Sequence, residues 1–399
     1  MAISLSWEDF PEVFDDDSLI QRSFFEPDIL ADGISSLKGH LLIKGDNYPV
    51  LKKLSQKKAC DGGLLETVDL IYIDPPYNTG NDFTYNDDFS SGQDRHSAWL
   101  SFMQRRLTAA RPLLKASGCI FIAIDQSELY PLKLLCDQIF GEENFVNDFM
   151  WLHGKGKKDR WSRTLQQHTL CYARDKKNLP AFREIEESSW ATKNADNDPR
   201  GNWFSGSISF TEGRSNPNHK NYYSVVSPSG KVWIRQWQTD KASMDKLIAE
   251  NRIFFGSAPD YDKVPRVKIF NGAETEVIPR NIIEGIESTR AAQNHLDKLL
   301  GIKNSFDNPK PVSLIKHLIQ ISRQPANALI MDFFAGSGTS LEAVTSLNAQ
   351  DHGKRRCILV QKDENGIFEL CKKRCEKVLE ENSSENESLS IMDFSYPHD

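Results

Sequence analysis

The run Leu70-Ile-Tyr-Ile-Asp74-Pro75-Pro76-Tyr77, continued by Asn78-Thr79-Gly80, is apolar up to a carboxylate and then stops on two prolines and an aromatic ring. β-Favouring residues bounded by Pro-Pro predict a buried strand with an abrupt end, because proline cannot donate to a ladder and restrains the residue before it. Asp74 and Tyr77 then stand at the C-terminal edge of that strand, where open α/β sheets bind their ligands. Taken alone, Asp-Pro-Pro fits a solvated loop after a proline-stopped strand equally well, and a short motif gains meaning only from its context.

Outward from this stretch the chain keeps an α/β rhythm. Upstream, Gly39 to Asn47 reads as a short strand ending at Gly45-Asp46, and Tyr48 to Lys58 carries an apolar helical spacing. Downstream, Trp99 to Lys115 has helical periodicity, Cys119 to Asp125 is a third buried strand, and Leu129 to Phe140 is a helix closed by Gly141. Phe145 to Leu152 and His168 to Ala173 read as two further strands, split by the basic insert Gly154 to Arg160. After a long irregular middle the rhythm resumes: a Pro-rich entry at Asn308 to Pro311 leads into an amphipathic helix, then come a strand ending at Asp332, a glycine loop, a helix, and a strand over Cys357 to Gln361. Strands alternating with helices predict an α/β fold with a doubly wound, mostly parallel sheet. We expect a leader over 1–38, sheet-domain halves over 39–175 and 291–380, an inserted module over 176–290, and an acidic, Ser/Asn-rich disordered tail over 381–399.

With 399 residues, 39% hydrophobic and 26% charged, the chain can bury a sizeable core and is not disordered throughout. It has no apolar run near the roughly 18 to 20 residues that span a bilayer, and its acidic start lacks a signal-peptide pattern, so a cytoplasmic protein with no membrane partner is expected. Seven cysteines without CxxC pairs fit reduced thiols better than disulfides or zinc, and no metal site is expected. The net charge of −7 is uneven: Trp151 to Arg280 holds 22 Lys+Arg against 15 Asp+Glu, leaving 27 against 41 elsewhere. A basic middle in an acidic chain suits phosphate, and Lys155, Lys157, Lys158 and Arg160 are the candidate DNA contacts, weighed against a solvated loop. Trp203, Tyr222, Tyr223, Trp233 and Trp237, interleaved with Arg214, Lys220, Lys231 and Arg235, suit nucleic acid too, although large rings in a small module are more often core.

The glycine loop carries the second half of the chemistry. Asp332, then Gly336-x-Gly338 opening a helix, lets backbone approach a ligand, with helix N–H groups and the positive dipole end facing it. The third glycine of the dinucleotide fingerprint and the Gly-Lys-Ser/Thr of a P-loop are both missing, so neither NAD nor a nucleoside triphosphate is the natural ligand. An acid before the glycines pairs with an amine and a helix N-terminus meets a carboxylate, which together suit a ligand with an amino-acid end and a nucleoside end.

Asp74-Pro-Pro-Tyr77 together with Asp332-Phe-Phe-Ala-Gly-Ser-Gly338 resembles the amino-group DNA methyltransferases that use S-adenosylmethionine. The order, catalytic motif first and cofactor loop near the C-terminal end with a variable module between, resembles their circularly permuted β class. The longer string Tyr72 to Gly80, then Asp82-Phe83 and Tyr85-Asn86-Asp87, resembles the modification (Mod) subunits of type III restriction-modification systems, as does Asp198-Pro-Arg-Gly201. The resemblance implies methyl transfer to the N6 amine of adenine in double-stranded DNA, with a restriction (Res) subunit and a second copy of the chain as candidate partners. Cytosine N4 is the nearest rival target, and RNA methylation or a catalytically silent DNA-binding specificity subunit are the others; the intact motifs speak against the last.

Residue by residue, the resemblance implies that Asp332 contacts the methionine amino group, that Gly336 and Gly338 let the carboxylate and sugar approach, and that Phe333 and Phe334 pack at the cofactor. Asp46 matches the acceptor for the adenine amine of the cofactor, and Pro311 and its neighbours match the wall at the methionine end. Where relatives place an acid for the ribose hydroxyls this chain has Gln361, with Asp363 or Glu364 as substitutes. Asp74 and the Pro75 carbonyl would accept both hydrogens of the target amine, Pro76 would complete the turn, and Tyr77 would stack on a flipped base. Asn78 to Asp88 is a candidate lid, and 176–290 is the candidate module for target recognition.

Overall fold

A computed structural model describes residues 5–26, 39–57, 63–80, 87, 89, 94–153, 160–187, 191–272, 274–381 and 388–395. The chain divides into two compact units, Met1–Arg183 with Pro279–Asp399, and Glu184–Ile278.

The first unit is built on a ten-stranded sheet whose strands lie in the order Phe24–Glu26, Leu389–Ser395, His40–Lys44, Arg356–Gln361, Leu329–Asp332, Val68–Ile73, Leu114–Ile124, Gln166–Ala173, Phe145–Leu152, Ile282–Ile283. The six from Leu389–Ser395 to Leu114–Ile124 run parallel, as expected where helices make the crossovers. Successive side chains leave these strands on opposite faces and both faces are covered. Leu41, Ile43, Ile71 and Ile73 pack under the helices Asn47–Ser55, Arg95–Ala110 and Leu129–Phe140. Leu42, Leu70 and Tyr72 pack under Val312–Ile321, Thr339–Asp351 and Ile367–Glu381. This is the doubly wound, mostly parallel architecture, and it confirms the expected fold class.

Three boundaries differ from expectation. Within the expected disordered tail over 381–399, the described Leu389–Ser395 is a strand inside the sheet, parallel to His40–Lys44 and antiparallel to Phe24–Glu26. Alternation explains it, since Met392 and Phe394 are buried against the sheet's first face while the acidic, polar stretch before them masks that period of two. Met392→Ala is expected to cost about 2–5 kcal/mol in a denaturant titration, where a solvated tail would change by less than about 0.5 kcal/mol. The leader likewise belongs to the first unit from its described start. Its acids meet arginines on the helix Arg95–Ala110: Glu12 pairs with Arg106 at 2.7 Å, and Asp9 and Asp15 pair with Arg105. The second unit is narrower than 176–290. Phe182 stacks on Phe149 with ring centroids 6.2 Å apart, the Arg183 N–H donates to the Ile321 carbonyl, and Ile282–Ile283 pairs with Met150 and Trp151, so both flanks are tied to the large sheet.

The second unit holds the hairpin Tyr222–Val226 with Val232–Gln236, a three-stranded sheet of Ile253–Phe254, Arg266–Phe270 and Trp203–Gly206, and the helix Lys241–Ala249. Trp237 is fully buried with Val225, Met244 and Phe255 around it, and Trp203 is buried too, so these two rings are core. Asp198, of the Asp-Pro-Arg-Gly stretch, is buried with the ammonium of the fully buried Lys268 at 2.9 Å and the guanidinium of Arg200 at 2.7 Å. That motif therefore has a structural task inside its own unit. Among the described residues no helix is long and apolar enough to cross a membrane.

Candidate active site

The strand Val68–Ile73 and the strand Leu329–Asp332 are direct neighbours, with Leu70 opposite Ile330 and Ile71 opposite Met331. Asp74-Pro-Pro-Tyr77 and the glycine loop therefore leave the sheet side by side at its C-terminal edge. A cavity of about 300 Å³ lies there, lined from the sequence candidates by Asp46, Asp74, Pro76, Asp332, Phe333, Phe334, Gly336 and Gln361. Pro75, Tyr77, Gly338 and Pro311 do not line it. Pro311 stands at the entry of the helix Val312–Ile321 and faces a separate hollow beside Ser313 and Lys316.

The Asp74-Pro-Pro-Tyr77 stretch is held from several sides. Tyr77 donates its hydroxyl to Asp74 Oδ1 at 2.5 Å, and the Lys310 ammonium donates to Asp74 Oδ2 at 2.6 Å. The buried Trp99 indole donates to the Pro76 carbonyl at 2.8 Å. Asn78, at φ +57°, donates from its backbone to Asp87 and from its side-chain amide to Glu128 at 2.7 Å. Burial raises the Glu128 carboxyl above its usual range, against the contacts with Asn78 and His96 that favour its ionised form. Of the candidate lid, residues 78–80 are thus pinned, whereas 81–86 and 88 lie outside the described residues.

On the cofactor-loop side, Asp332 is buried, accepting from the Phe334 N–H at 2.9 Å and from the Ser340 hydroxyl at 2.5 Å. Burial pushes its carboxyl up to about 7, further raised by Asp74 and opposed by those two hydrogen bonds. Gly336 has φ +53°, and a Cβ there would stand 3.2 Å from the Phe306 ring. Gly338 has φ +82°, and a Cβ would press on the sulfurs of Cys371 and Cys375 at 3.1 and 3.2 Å. Those cysteines are buried backing for the loop, and among the described residues no His/Cys/Asp/Glu cluster could hold a metal. Arg374 braces the loop from behind, donating to the Ser337 and Thr339 hydroxyls at 2.8 Å each.

Gln361 has a task that its sequence position did not suggest. Its side-chain carbonyl accepts from the Gly336 N–H at 2.7 Å and its amide donates to the Lys362 carbonyl, so it ties the loop down. Of the two acids beyond it, Asp363 is paired with Lys44 at 2.9 Å, and Glu364 lines the cavity. Asp46 caps the helix Asn47–Ser55 through the Tyr48 N–H and meets Arg106 at 3.2 Å, with both Asp46 and Arg106 on the cavity wall.

Sequence reasoning missed Lys310, Tyr72, Arg106 and the rings of Phe89, Phe102 and Phe306, all of which line the cavity. The one signal for Lys310 was its place between Pro309 and Pro311. Tyr72 alternates onto the face opposite Ile71 and Ile73, and its buried hydroxyl has no partner among the described residues. A buried polar atom left so at a cavity wall is where a ligand atom is expected. Lys155, Lys157 and Lys158 lie outside the described residues, and Arg160 is exposed, its guanidinium 4.8 Å from the ring of the exposed Trp161.

Comparison with known proteins agrees with this geometry. The profile of the DNA methylase family (N6_N4_Mtase) matches residues 68–372. The type III restriction-modification enzyme StyLTI Mod subunit of Salmonella typhimurium is 34% identical over 85% of this chain and 55% of its own length. The EcoPI Mod subunit of Escherichia phage P1 is 33% identical over 90% of this chain and 65% of its own. The type II methyltransferase M.KpnI of Klebsiella pneumoniae is 30% identical, with 79% of each chain covered. The chain thus spans 55% and 65% of the length of these two type III relatives.

Proposed function

Since the chain belongs to the DNA methylase family, we propose that it is a site-specific DNA methyltransferase that transfers a methyl group from S-adenosylmethionine to the N6 amine of a flipped-out adenine. One observation carries this reading: Asp74 and the glycine loop, 258 positions apart from Asp74 to Asp332, open into a single cavity. The residues fit the methyl donor. Asp332 offers a carboxylate to an ammonium, Gly336 leaves space where a Cβ would meet Phe306, and Tyr72, whose hydroxyl has no partner among the described residues, lines the same space. Bound there, S-adenosylmethionine supplies an electrophilic methyl on a sulfonium.

The chain's own residues do the rest. An exocyclic adenine amine is a poor nucleophile because its lone pair is delocalised into the ring. Accepting its two hydrogens at Asp74 and at the Pro75 carbonyl draws the nitrogen toward tetrahedral geometry and frees the lone pair for attack. The rigid turn, fixed by Trp99 at Pro76 and by Glu128 and Asp87 at Asn78, keeps these acceptors in place without reorganisation. Flipping the base costs a few kcal/mol of unstacking, which contacts to the ring and to phosphates offset. We assign target recognition to the second unit on composition and position, and a Res subunit as partner on the likeness to the Mod subunits.

Purified protein given methyl-labelled S-adenosylmethionine and unmethylated duplex DNA should incorporate label, with N6-methyladenine in the digested product. N4-methylcytosine in its place would move the assignment to cytosine. No incorporation across a broad panel of duplexes would refute the reading.

A further inference from the structure

Tyr72 stands near the end of the strand Val68–Ile73, 1% exposed, on the face of the sheet that Val312–Ile321 and Thr339–Asp351 cover. The other polar side chains around it on the cavity wall are committed. The Ser340 hydroxyl donates to Asp332, the Ser337 and Thr339 hydroxyls accept from Arg374, and the Asn47 amide donates to the Phe333 carbonyl. Among the described residues that line the cavity, only Tyr72 keeps a buried polar side-chain atom without a hydrogen bond. Such a hydroxyl costs free energy within the protein alone, and a ligand that bonds to it recovers the cost.

Charge selects the ligand atom. Among the described residues the cavity is lined by five acids, Asp46, Asp74, Asp307, Asp332 and Glu364, and by three cations. Each cation already has an acid beside it: Lys310 meets Asp74 at 2.6 Å, Arg106 meets Glu12 at 2.7 Å and Asp46 at 3.2 Å, and Lys362, 61% exposed, stands 4.0 Å from Asp46. None of the three pairs with Asp332. Burial, and then the negative charges of Asp74 and Asp332, hold the proton on the Tyr72 hydroxyl, yet neither carboxylate accepts it. Asp74 has its cation, so the place where a further cation gains most is beside Asp332 and Tyr72.

Resting on the methyltransferase reading, we propose that the Tyr72 hydroxyl is a cofactor-binding group: its oxygen accepts an N–H from the ammonium at the methionine end of S-adenosylmethionine, whose charge Asp332 holds. An ammonium carries three N–H donors, and a neutral hydroxyl oxygen beside a carboxylate suits one of them. Affinity then depends on the amine of the amino-acid end, with Tyr72 and Asp332 reading it together.

Tyr72→Phe in the full chain removes that one atom. Without ligand the variant should melt at the wild-type temperature or above, since no hydrogen bond is lost and a buried unpaired polar group is. A lower melting temperature, or failure to fold, overturns the proposal. Calorimetric titration should show S-adenosylmethionine bound roughly ten- to a hundredfold more weakly, the usual worth of a hydrogen bond to a charged group. Decarboxylated S-adenosylmethionine, which keeps the amine, should lose affinity by the same factor. A loss confined to the carboxylate-bearing compound would put the hydroxyl on the carboxylate and overturn the assignment. Unchanged affinity for S-adenosylmethionine overturns the proposal alone, whereas wild-type protein that binds none overturns the cofactor reading and the proposal with it. Wild-type protein that binds the cofactor and transfers no methyl counts against the enzyme reading only, because binding still decides for or against Tyr72.

Discussion

Asp74→Ala is expected to lower methyl transfer by about 10²–10³-fold or more while S-adenosylmethionine still binds, because a preorganised polar contact at the reacting centre is worth that much. The separation follows from the layout. Asp74 sits on the turn after Val68–Ile73, whereas the residues proposed to hold the cofactor sit on the loop after Leu329–Asp332 and on the strand beyond it. Alanine also strands the Lys310 ammonium in a buried place, so the variant should be less stable by about 3–5 kcal/mol, the usual result of breaking one half of a buried pair. Asp74→Asn is the control for folding, since its side-chain carbonyl can still accept from Lys310. Single-turnover incorporation measured beside cofactor titration checks the prediction, and turnover near wild type in both variants would remove Asp74 from the chemistry.

Asp332→Asn should have the opposite effect on stability and a larger one on binding. A carboxyl whose folded pKa is raised to about 7 stabilises the fold below its unfolded value, near 4, and loses that contribution as pH climbs toward 7. At pH 8 the buried charge therefore weighs against folding, at ~1.4 kcal/mol per unit of upward displacement. The amide can keep both hydrogen bonds, accepting from the Phe334 N–H and donating to the Ser340 hydroxyl. Denaturation should show Asp332→Asn more stable than wild type by about 2–4 kcal/mol at pH 8, with the gap closing toward pH 4. Calorimetric titration at pH 8 should show S-adenosylmethionine affinity lower by about a hundredfold or more, from loss of a buried ionic contact. Wild-type affinity should itself fall as pH drops below about 7, as Asp332 takes up its proton. A variant that binds cofactor as wild type does would dismiss Asp332 as its anchor.

Much of this site was legible because it is local. A strand that stops on Pro-Pro and a strand that runs into Gly336-x-Gly338 each declare themselves within about ten residues, and their adjacency follows from how parallel sheets are wound. What stayed hidden depends on partners distant in sequence. Arg106 looks like a solvated helix residue until Glu12, Asn47 and Asp46 close around it; it is 2% exposed. Lys310 looks like surface until Asp74 is placed beside it. Gln361 was read as an acceptor for the ribose hydroxyls, whereas in the fold its side-chain carbonyl accepts from the loop's own Gly336 N–H. The terminal strand was obscured by averaging: the polar composition before it outweighed an alternation only seven residues long.

The neighbouring of Val68–Ile73 and Leu329–Asp332 also sets a timetable for the chain's synthesis. The first strand of the pair leaves the ribosome with its Pro-Pro turn complete, but the partner that walls its cavity comes some 250 positions later, after an entire second unit has been made. Closing so long a loop is slow even when its cost in free energy grows only with the logarithm of its length. Until that pairing forms, Leu70 and Ile71 lack the strand that covers their backbone on one side, and a nascent chain exposes an open parallel edge of the kind that recruits foreign strands. The cavity is therefore completed in a single late step, and the interval before it is when the newly made chain is most exposed to aggregation.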